Sequence, residues 1–331
     1  MNLLEISEKF PTELDCIEYA EYLRWGDTNK CAYCGSDNLT KRWGRDYRHI
    51  CKSCKKSTAV TVNTHLHNTR LKLKTWFYAI SVITDAKKGM SALQLHRNIG
   101  VSYPTAFKMY HKLREVMSDF NNVPDELEGV VEMDETFIGG KPRKFNNGTT
   151  TPSKTRTIIP ELDKRIKELK EEGFNLSRGK GNPAKSATNV KRGRGTDNIP
   201  VVGIVQRNGN VVAEVMKNLT YQNLKDMVQK YVVEDKSVLI TDQYSGYNSM
   251  KKIIEHVKID HERLYSYKGV NTNTIESFWA IVERGIMGQY HSVSPKMLPN
   301  YVAEFVYKYN NRNDTDSMFE EILKKLLNPI N

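Results

Sequence analysis

Four of the five cysteines in this 331-residue chain stand as two Cys-x-x-Cys pairs, Cys31/Cys34 and Cys51/Cys54, with sixteen residues between the pairs. No other feature restricts the local fold as tightly. Each pair presents two thiolates from one tight turn, and four thiolates match a tetrahedral zinc ion. With every position filled by cysteine, the site is expected to be structural, with no open position for catalysis. Gly35, directly after the first pair, suits the turn. The start of the chain, MNLLEISEKFPTELDC, has no basic region followed by an apolar run, so a secreted, disulfide-bonded protein is not expected. Nor is a membrane span, because no long uninterrupted apolar stretch occurs. A cytoplasmic protein is expected.

The residues between the pairs include LTKRWGRDYRHI, in which Lys41, Arg42, Arg45 and Arg48 alternate with Trp43 and Tyr47. Such a hairpin suits nucleic-acid contact, although a plain hairpin with solvated charges reads the same way. His65 and His67 are read as loop or packing residues, since four cysteines already satisfy a metal nearby.

The net charge of +11 favours a polyanionic partner. Its location is uneven. Residues 141–195 hold 15 Lys and Arg against 5 Asp and Glu, a surplus that leaves the rest of the chain nearly neutral. An apolar content of 39% with 9% aromatics excludes a disordered chain.

Periodicity divides the sequence into three parts. Residues 1–68 read as an N-terminal helix followed by the zinc ribbon. Residues 69–124 read as a helical region. Within it Ser91 caps one short helix, Gly100 ends it, and Ser102 caps a second, which is a helix-turn-helix pattern. Tyr103, Thr105, Lys108 and Lys112 are its candidate DNA-facing residues. Pro124 and Gly129 punctuate a linker. From about residue 125 to 331 the pattern becomes short β-branched strands, at 130–140, 200–206, 210–216 and 237–242. Arg207-Asn208-Gly209 signals a hairpin between the second and third strands. A helix follows at YQNLKDMVQKYVV, and the pattern is mostly helical after Asn273. Strands then helices around a mixed sheet imply an α/β or α+β catalytic domain, so the whole reads as a multidomain α+β protein. Residues 141–199 interrupt the first two strands as a basic insertion, with one short helix ending at Gly173.

Two of the strands end in aspartate: VVEMDETFIGG in Asp134 and SVLITDQYSGY in Asp242. A buried aspartate is costly unless something cationic meets it. Two of them on adjacent strands match Mg2+, which takes hard oxygen ligands, and metal-assisted phosphoryl displacement. Downstream, NTNTIESFWAIVERGIMGQYH places Glu276 and Glu283 seven residues apart on one helical face, with Asn273 a turn before Glu276. One acidic residue on that face would complete a metal site; otherwise the face is simply solvated.

Taken together, CAYCGS…CKSC, MDETFIGGK, KRGRGTDNIPVVGIV, LITDQYSGY, NTIESFWAIVERGIMGQYH and LPNYVAEFVYKYNNR resemble insertion-sequence transposases of the ISXO-two-like group (insertion sequence family 1595). The resemblance implies an RNase H-like catalytic domain and a DDE-type mechanism, with Asp134 and Asp242 as the first two catalytic residues. The third position falls on Glu276, assisted by Asn273, or on Glu283, which stands where a Lys is expected in the family. The resemblance further implies structural Zn2+ on Cys31, Cys34, Cys51 and Cys54, and Mg2+ or Mn2+ on Asp134, Asp242 and Glu276. The expected partners are double-stranded DNA, at element ends and target, and a second copy of the chain in at least a dimer. The expected activity is strand cleavage at terminal inverted repeats followed by strand transfer, in a cytoplasmic, nucleoid-associated protein. The alternative is a decayed or domesticated transposase that only binds DNA.

Overall fold

Helices α1 (Leu3–Lys9) and α2 (Glu13–Trp25) open the chain, each started by a capping box, Asn2 with Glu5 and Thr12 with Asp15. The structure, a computed structural model, describes residues 1–42, 44, 47–121, 126–139, 198–259 and 271–329. The expected helix ending at Gly173, most of the basic insertion, Trp43 and Arg45 lie outside those residues. A minimal two-stranded ribbon follows, β1 (His49–Ile50) and β2 (Ser57–Thr58), and then helix α3 (Leu73–Asp85). Helices α4 (Ala92–Ile99) and α5 (Tyr103–Asn121) complete the N-terminal segment.

Five further strands form one mixed sheet: β3 (Leu127–Ile138), β4 (Ile199–Gln206), β5 (Val211–Val215), β6 (Val232–Thr241) and β7 (Glu255–Lys258). Their order is β5-β4-β3-β6-β7. The β3–β4 and β4–β5 pairs are antiparallel, and the β3–β6 and β6–β7 pairs are parallel. The β4–β5 hairpin turns at the expected place, with Asn208 at φ 59 and Gly209 donating its N–H to Gln206 O. Gly129 does not belong to a linker. It lies inside β3 at φ 79, where the register to β6 shifts, so its freedom at positive φ serves a strand irregularity.

Helix α6 (Tyr221–Tyr231) runs straight into β6, because the β-branched pair Val232-Val233 takes up extended backbone and Val232 pairs with Leu127. After β7 come α7 (Asn273–Gly285), a π-helical turn (Ile286–Tyr290), α8 (Leu298–Asn310) and α9 (Thr315–Leu327).

The period-2 alternation of β3 sorts its two faces. Leu127, Val131 and Met133 pack with Leu224 and Val228 of α6. Ile138 and the facing Val201 and Val205 of β4 pack with α7 and α8. A third apolar core joins α1–α5 to the far end of the chain, where Phe319, Ile322 and Leu326 of α9 meet Phe77 and Ile80 of α3. Phe77 and Phe319 contact edge to face at 5.3 Å. Among the described residues no helix is long and apolar enough to cross a membrane.

Candidate functional site

On the face of β3 toward α7 stand the polar residues Glu132, Asp134 and Thr136. The helix is tied to this strand at two places. Its first-turn amides, on Thr274 and Ile275, donate to Glu132, and Thr136 Oγ1 donates to Glu283 Oε1 at 2.7 Å. From Thr274 to Glu283 a helix advances about 13 Å, and from Glu132 to Thr136 a strand advances about 13 Å. The two elements therefore run alongside each other in step, with Asp134 midway between the ties. Opposite Asp134 in the antiparallel pair stands Gly203. A Cβ there would lie 2.7 Å from the Trp279 ring and 3.0 Å from Ile275, so the glycine lets α7 close down on the sheet beside the aspartate.

The strand expected to end in Asp134 runs on to Ile138, because β4 continues to pair with it; only its pairing with β6 ends, at Met133↔Thr241, and Asp242 follows at once. Past that point no β6 backbone separates the two faces of β3. Asp134 from one face and Glu135 from the other reach the same place, and with Asp242 they offer carboxylate oxygens within 4.8 Å of one another. All three are half-buried. Burial, then the neighbouring Glu135, Asp242 and Glu276 charges, push the Asp134 carboxyl up to about 7. Such crowding of like charges is what a bound divalent cation relieves, and the all-oxygen donor set fits Mg2+ or Mn2+. Asp242 is held by Tyr244 N at 2.9 Å, and Glu135 by the buried Tyr247 hydroxyl at 2.6 Å.

Glu276 and Asn273 are exposed on the first turn of α7, and Thr272 Oγ1 holds Glu276 Oε1 at 2.9 Å. Glu276 is near enough to act on Asp134 electrostatically but stands outside the close carboxylate group. Glu283 is engaged by Thr136. Sequence reasoning passed over Glu132, Glu135, Arg207 and Tyr247. Only Glu135 carried a signal, its place beside Asp134; the others depend on which face of which strand meets them.

The four ribbon cysteines also converge. Cys31 and Cys54 Sγ are 3.6 Å apart, as are Cys34 and Cys51. Disulfide sulfurs bond at about 2.0 Å, whereas thiolates around tetrahedral zinc sit about 3.8 Å apart. Two equivalent turns present them. Gly35 N bonds Cys31 O and Lys55 N bonds Cys51 O, with Gly35 at φ 73 and Lys55 at φ 61. Backbone N–H groups of Cys54 and Ser53 draw the Cys51 thiol down to about 6, which favours the thiolate. The fifth cysteine, Cys16, is buried in α2, and burial pushes its thiol up to about 12, consistent with a packing role.

The zinc-type site yields a direct expectation. Protein purified without added metal should carry one zinc per chain, measured with a colorimetric chelator after thiol modification. Cys51→Ser should lose it and speed hydrogen exchange in the ribbon, while the amides of β3 and β6 stay protected.

Two of the ribbon's basic residues are committed within the chain. Arg42 pairs with Glu18 at 2.9 Å and with the buried Glu21 at 2.5 Å, and Arg48 donates to Ser57 Oγ at 2.8 Å. They fasten the ribbon to α2 and β2, so this hairpin offers less free positive charge than its sequence promises.

The helix-turn-helix forms as its caps require. Ser91 accepts from Gln94 N, Gly100 is left-handed at φ 71, and Ser102 Oγ bonds Thr105 Oγ1. Tyr103, Phe107 and Lys108 are exposed on α5, while Thr105 and Lys112 are half-buried.

Residues 176–310 match the sequence profile of the ISXO2-like transposase domain. The match spans β4 through α8, including Asp242, Asn273, Glu276 and Glu283; β3 with Asp134 precedes it and lies between β4 and β6 in the sheet. No curated protein sequence matches the chain significantly. Among solved structures, a chain of the crystal structure of a pre-cleavage Mos1 transpososome is 10% identical, covering 76% of this chain and 79% of that one, with a TM-score of 0.25. A chain of the Mos1 Strand Transfer Complex is 10% identical, covering 75% and 74%, with a TM-score of 0.26. Likenesses at those TM-scores are too slight to bear on the function of this chain.

Proposed function

We propose that this transposase-domain protein is a metal-dependent DNA strand-cleaving and strand-joining enzyme acting on the ends of its own element. The convergence of Asp134, inside β3 where its pairing with β6 stops, and Asp242, just past the end of β6, carries the reading, because nothing in the sheet's stability calls for two crowded, half-buried carboxylates. The sheet, antiparallel on one side of β3 and parallel on the other, supports an RNase H-like domain. Asp134 and Asp242 would hold a Mg2+ or Mn2+ ion with Glu276 from α7, Asn273 assisting. Glu135 adds a carboxylate beside Asp134, and Glu283 is kept for bracing α7. The ion would supply Lewis-acid activation of the attacking hydroxyl and stabilisation of the leaving oxygen.

The chain's own residues do the positioning. Strand β3 and the end of β6 place Asp134 and Asp242, Tyr244 N and Tyr247 orient Asp242 and Glu135, and α7 sets the distance to Glu276. The helix-turn-helix, with Tyr103 and Lys108 exposed, is assigned to DNA contact, and the zinc ribbon to supporting it. A second copy of the chain is expected on paired ends, in the cytoplasm with the nucleoid.

The test is incubation of zinc-loaded protein with terminal-repeat DNA and Mg2+ or Mn2+. Nicked ends and, from pre-cut ends, joined product are expected. Folded protein that binds this DNA yet never cuts it would leave a DNA-binding protein in place of the enzyme. Cutting without joining would leave a nuclease.

A further inference from the structure

At the start of helix α7 the Thr272 side chain accepts no first-turn backbone N–H; its hydroxyl donates to Glu276 instead, and Asn271 Oδ1 accepts from Asn273 N at 3.2 Å. The cap comes from the sheet. Glu132 Oε2 accepts the N–H groups of Thr274 at 2.9 Å and Ile275 at 3.0 Å. Its Oε1 accepts from Thr274 Oγ1 at 3.0 Å and Arg207 Nε at 2.7 Å. These four bonds fill the acceptor sites of a carboxylate, and Glu132 is fully buried. Arg207, from the β4–β5 hairpin, also donates from Nη2 to Asn271 O at 2.7 Å, just ahead of the helix. A negative charge thus meets the positive end of the helix dipole, with an arginine closing the arrangement from the far side.

The position of this clamp gives it a consequence beyond capping. Glu132 precedes Asp134 by two residues on the same face of β3, and Glu276 follows the clamped Ile275 directly. One carboxylate therefore joins the backbone that bears the first proposed ligand to the backbone that bears the third. The same device occurs elsewhere as a plain cap. Glu13 of α2 accepts from Leu73 N at 2.7 Å and Lys74 N at 2.9 Å at the start of α3, in the N-terminal core. That second instance supplies an internal comparison.

We propose that Glu132, held by Arg207, is a positioning residue that locks α7 onto β3 and thereby sets Glu276 against Asp134 and Asp242. This rests on those three as the metal-binding carboxylates. Neither Glu132 nor Arg207 touches the reacting atoms.

The experiment uses the full-length, zinc-loaded protein, with Mn2+ binding followed by electron paramagnetic resonance and amide exchange by mass spectrometry. In Glu132→Gln the α7 first turn should exchange at least about tenfold faster. Mn2+ should bind about tenfold more weakly, the lower end of what losing an outer-shell partner costs a metal site. With DNA, kcat should fall while KM holds. Arg207→Met, which leaves the cap on α7 in place, should shift both readouts the same way by less, and it keeps the proposal testable where Glu132→Gln fails to fold. Glu13→Gln should loosen the start of α3 and leave Mn2+ affinity unchanged. The proposal is overturned when wild type binds Mn2+ and the Glu132 and Arg207 variants bind it equally well, or when Glu13→Gln weakens it as much. A wild type that binds no Mn2+ at all removes the metal-site reading and the positioning role with it, a failure told apart by the wild type's own result.

Discussion

An Asp134→Asn variant is expected to lose metal-dependent DNA cleavage and, without divalent metal, to melt at a higher temperature than the wild type. Both effects come from one cause. Asp134 lies close to Glu135 and Asp242, and burial and those charges push its carboxyl up to about 7. An ordinary unfolded Asp titrates near 3.9. A carboxyl raised on folding adds stability below its unfolded pKa and loses that contribution as pH rises through the folded value. The melting temperatures of metal-free wild type and Asp134→Asn should therefore lie closest near pH 4 and part progressively up to about pH 7, with the variant higher. Removing the carboxylate also removes a ligand from the proposed ion. Metal-ion charge stabilisation amounts to several kcal/mol, so cleavage should fall by about a thousandfold or more. Thermal melts across that pH range and single-turnover cleavage measure the two sides. A variant that melts lower than wild type and still cuts would show that Asp134 is an ordinary structural residue.

The second large effect lies away from that site, at Glu304 of α8. This carboxylate is fully buried and ties four segments together. It accepts from Tyr110 OH at 2.6 Å and Arg114 Nε at 2.8 Å on α5, from Lys308 Nζ at 2.6 Å on its own helix, and from Tyr290 OH at 3.0 Å in the π-helical turn. Lys308 Nζ also donates to Ala86 O at 3.0 Å, at the end of α3. The Arg114 guanidinium lies against the rings of Tyr110 at 3.7 Å and Tyr301 at 3.8 Å. Burial works to raise the Glu304 carboxyl, but Lys308 and Arg114 outweigh it and hold the group at about 2.

Glu304→Leu would leave Arg114 and Lys308 buried without a counter-charge. Breaking a buried pair in this way costs about 3–5 kcal/mol, a loss on the order of 10 °C in melting temperature. Replacing all three, Glu304→Leu with Arg114→Met and Lys308→Met, should recover much of that loss, because an apolar cluster carries no such penalty. The pH dependence has the opposite sign to that of Asp134. A carboxyl lowered on folding stabilises above its unfolded pKa, about 4.3, and that contribution is lost as pH falls through the folded value near 2. Acid unfolding between those values should be shallower in Glu304→Gln than in the wild type, as followed by circular dichroism. Equal stability of Glu304→Leu and wild type would show that the network is solvated.

Local rules were legible in the sequence wherever neighbours in the chain settle the matter. The cysteine spacing specified the ribbon, because a Cys-x-x-Cys turn brings its two sulfurs together through backbone bonds within itself. Ser91, Gly100 and Ser102 specified the helix-turn-helix for the same reason. Asp134 and Asp242 stood out because a carboxylate ending an apolar run contradicts its surroundings. The third carboxylate was not legible, since Glu276 and Glu283 share a face of one helix and periodicity ranks neither. The packing of α7 on β3 tells them apart, engaging Glu283 with Thr136 and setting Glu276 next to the clamped Ile275.

Likewise the ribbon's arginines read as free charge until Glu18, Glu21 and Ser57 are seen to hold Arg42 and Arg48. Glu132 and Glu304 look in sequence like any other acidic residue of a strand or helix. Their meaning depends on what lies across from them, 142 residues along the chain for Thr274 and 190 for Arg114. The ribbon, the helix caps and the two aspartates of apolar strands were already written in the order of residues, because short-range backbone geometry and the cost of burying charge act locally; that β3 runs on past Asp134 to Ile138 was not. How α7 sits over Asp134, and which charges hold the molecule together, came only with the folded chain, because both depend on contacts between segments that no local pattern encodes.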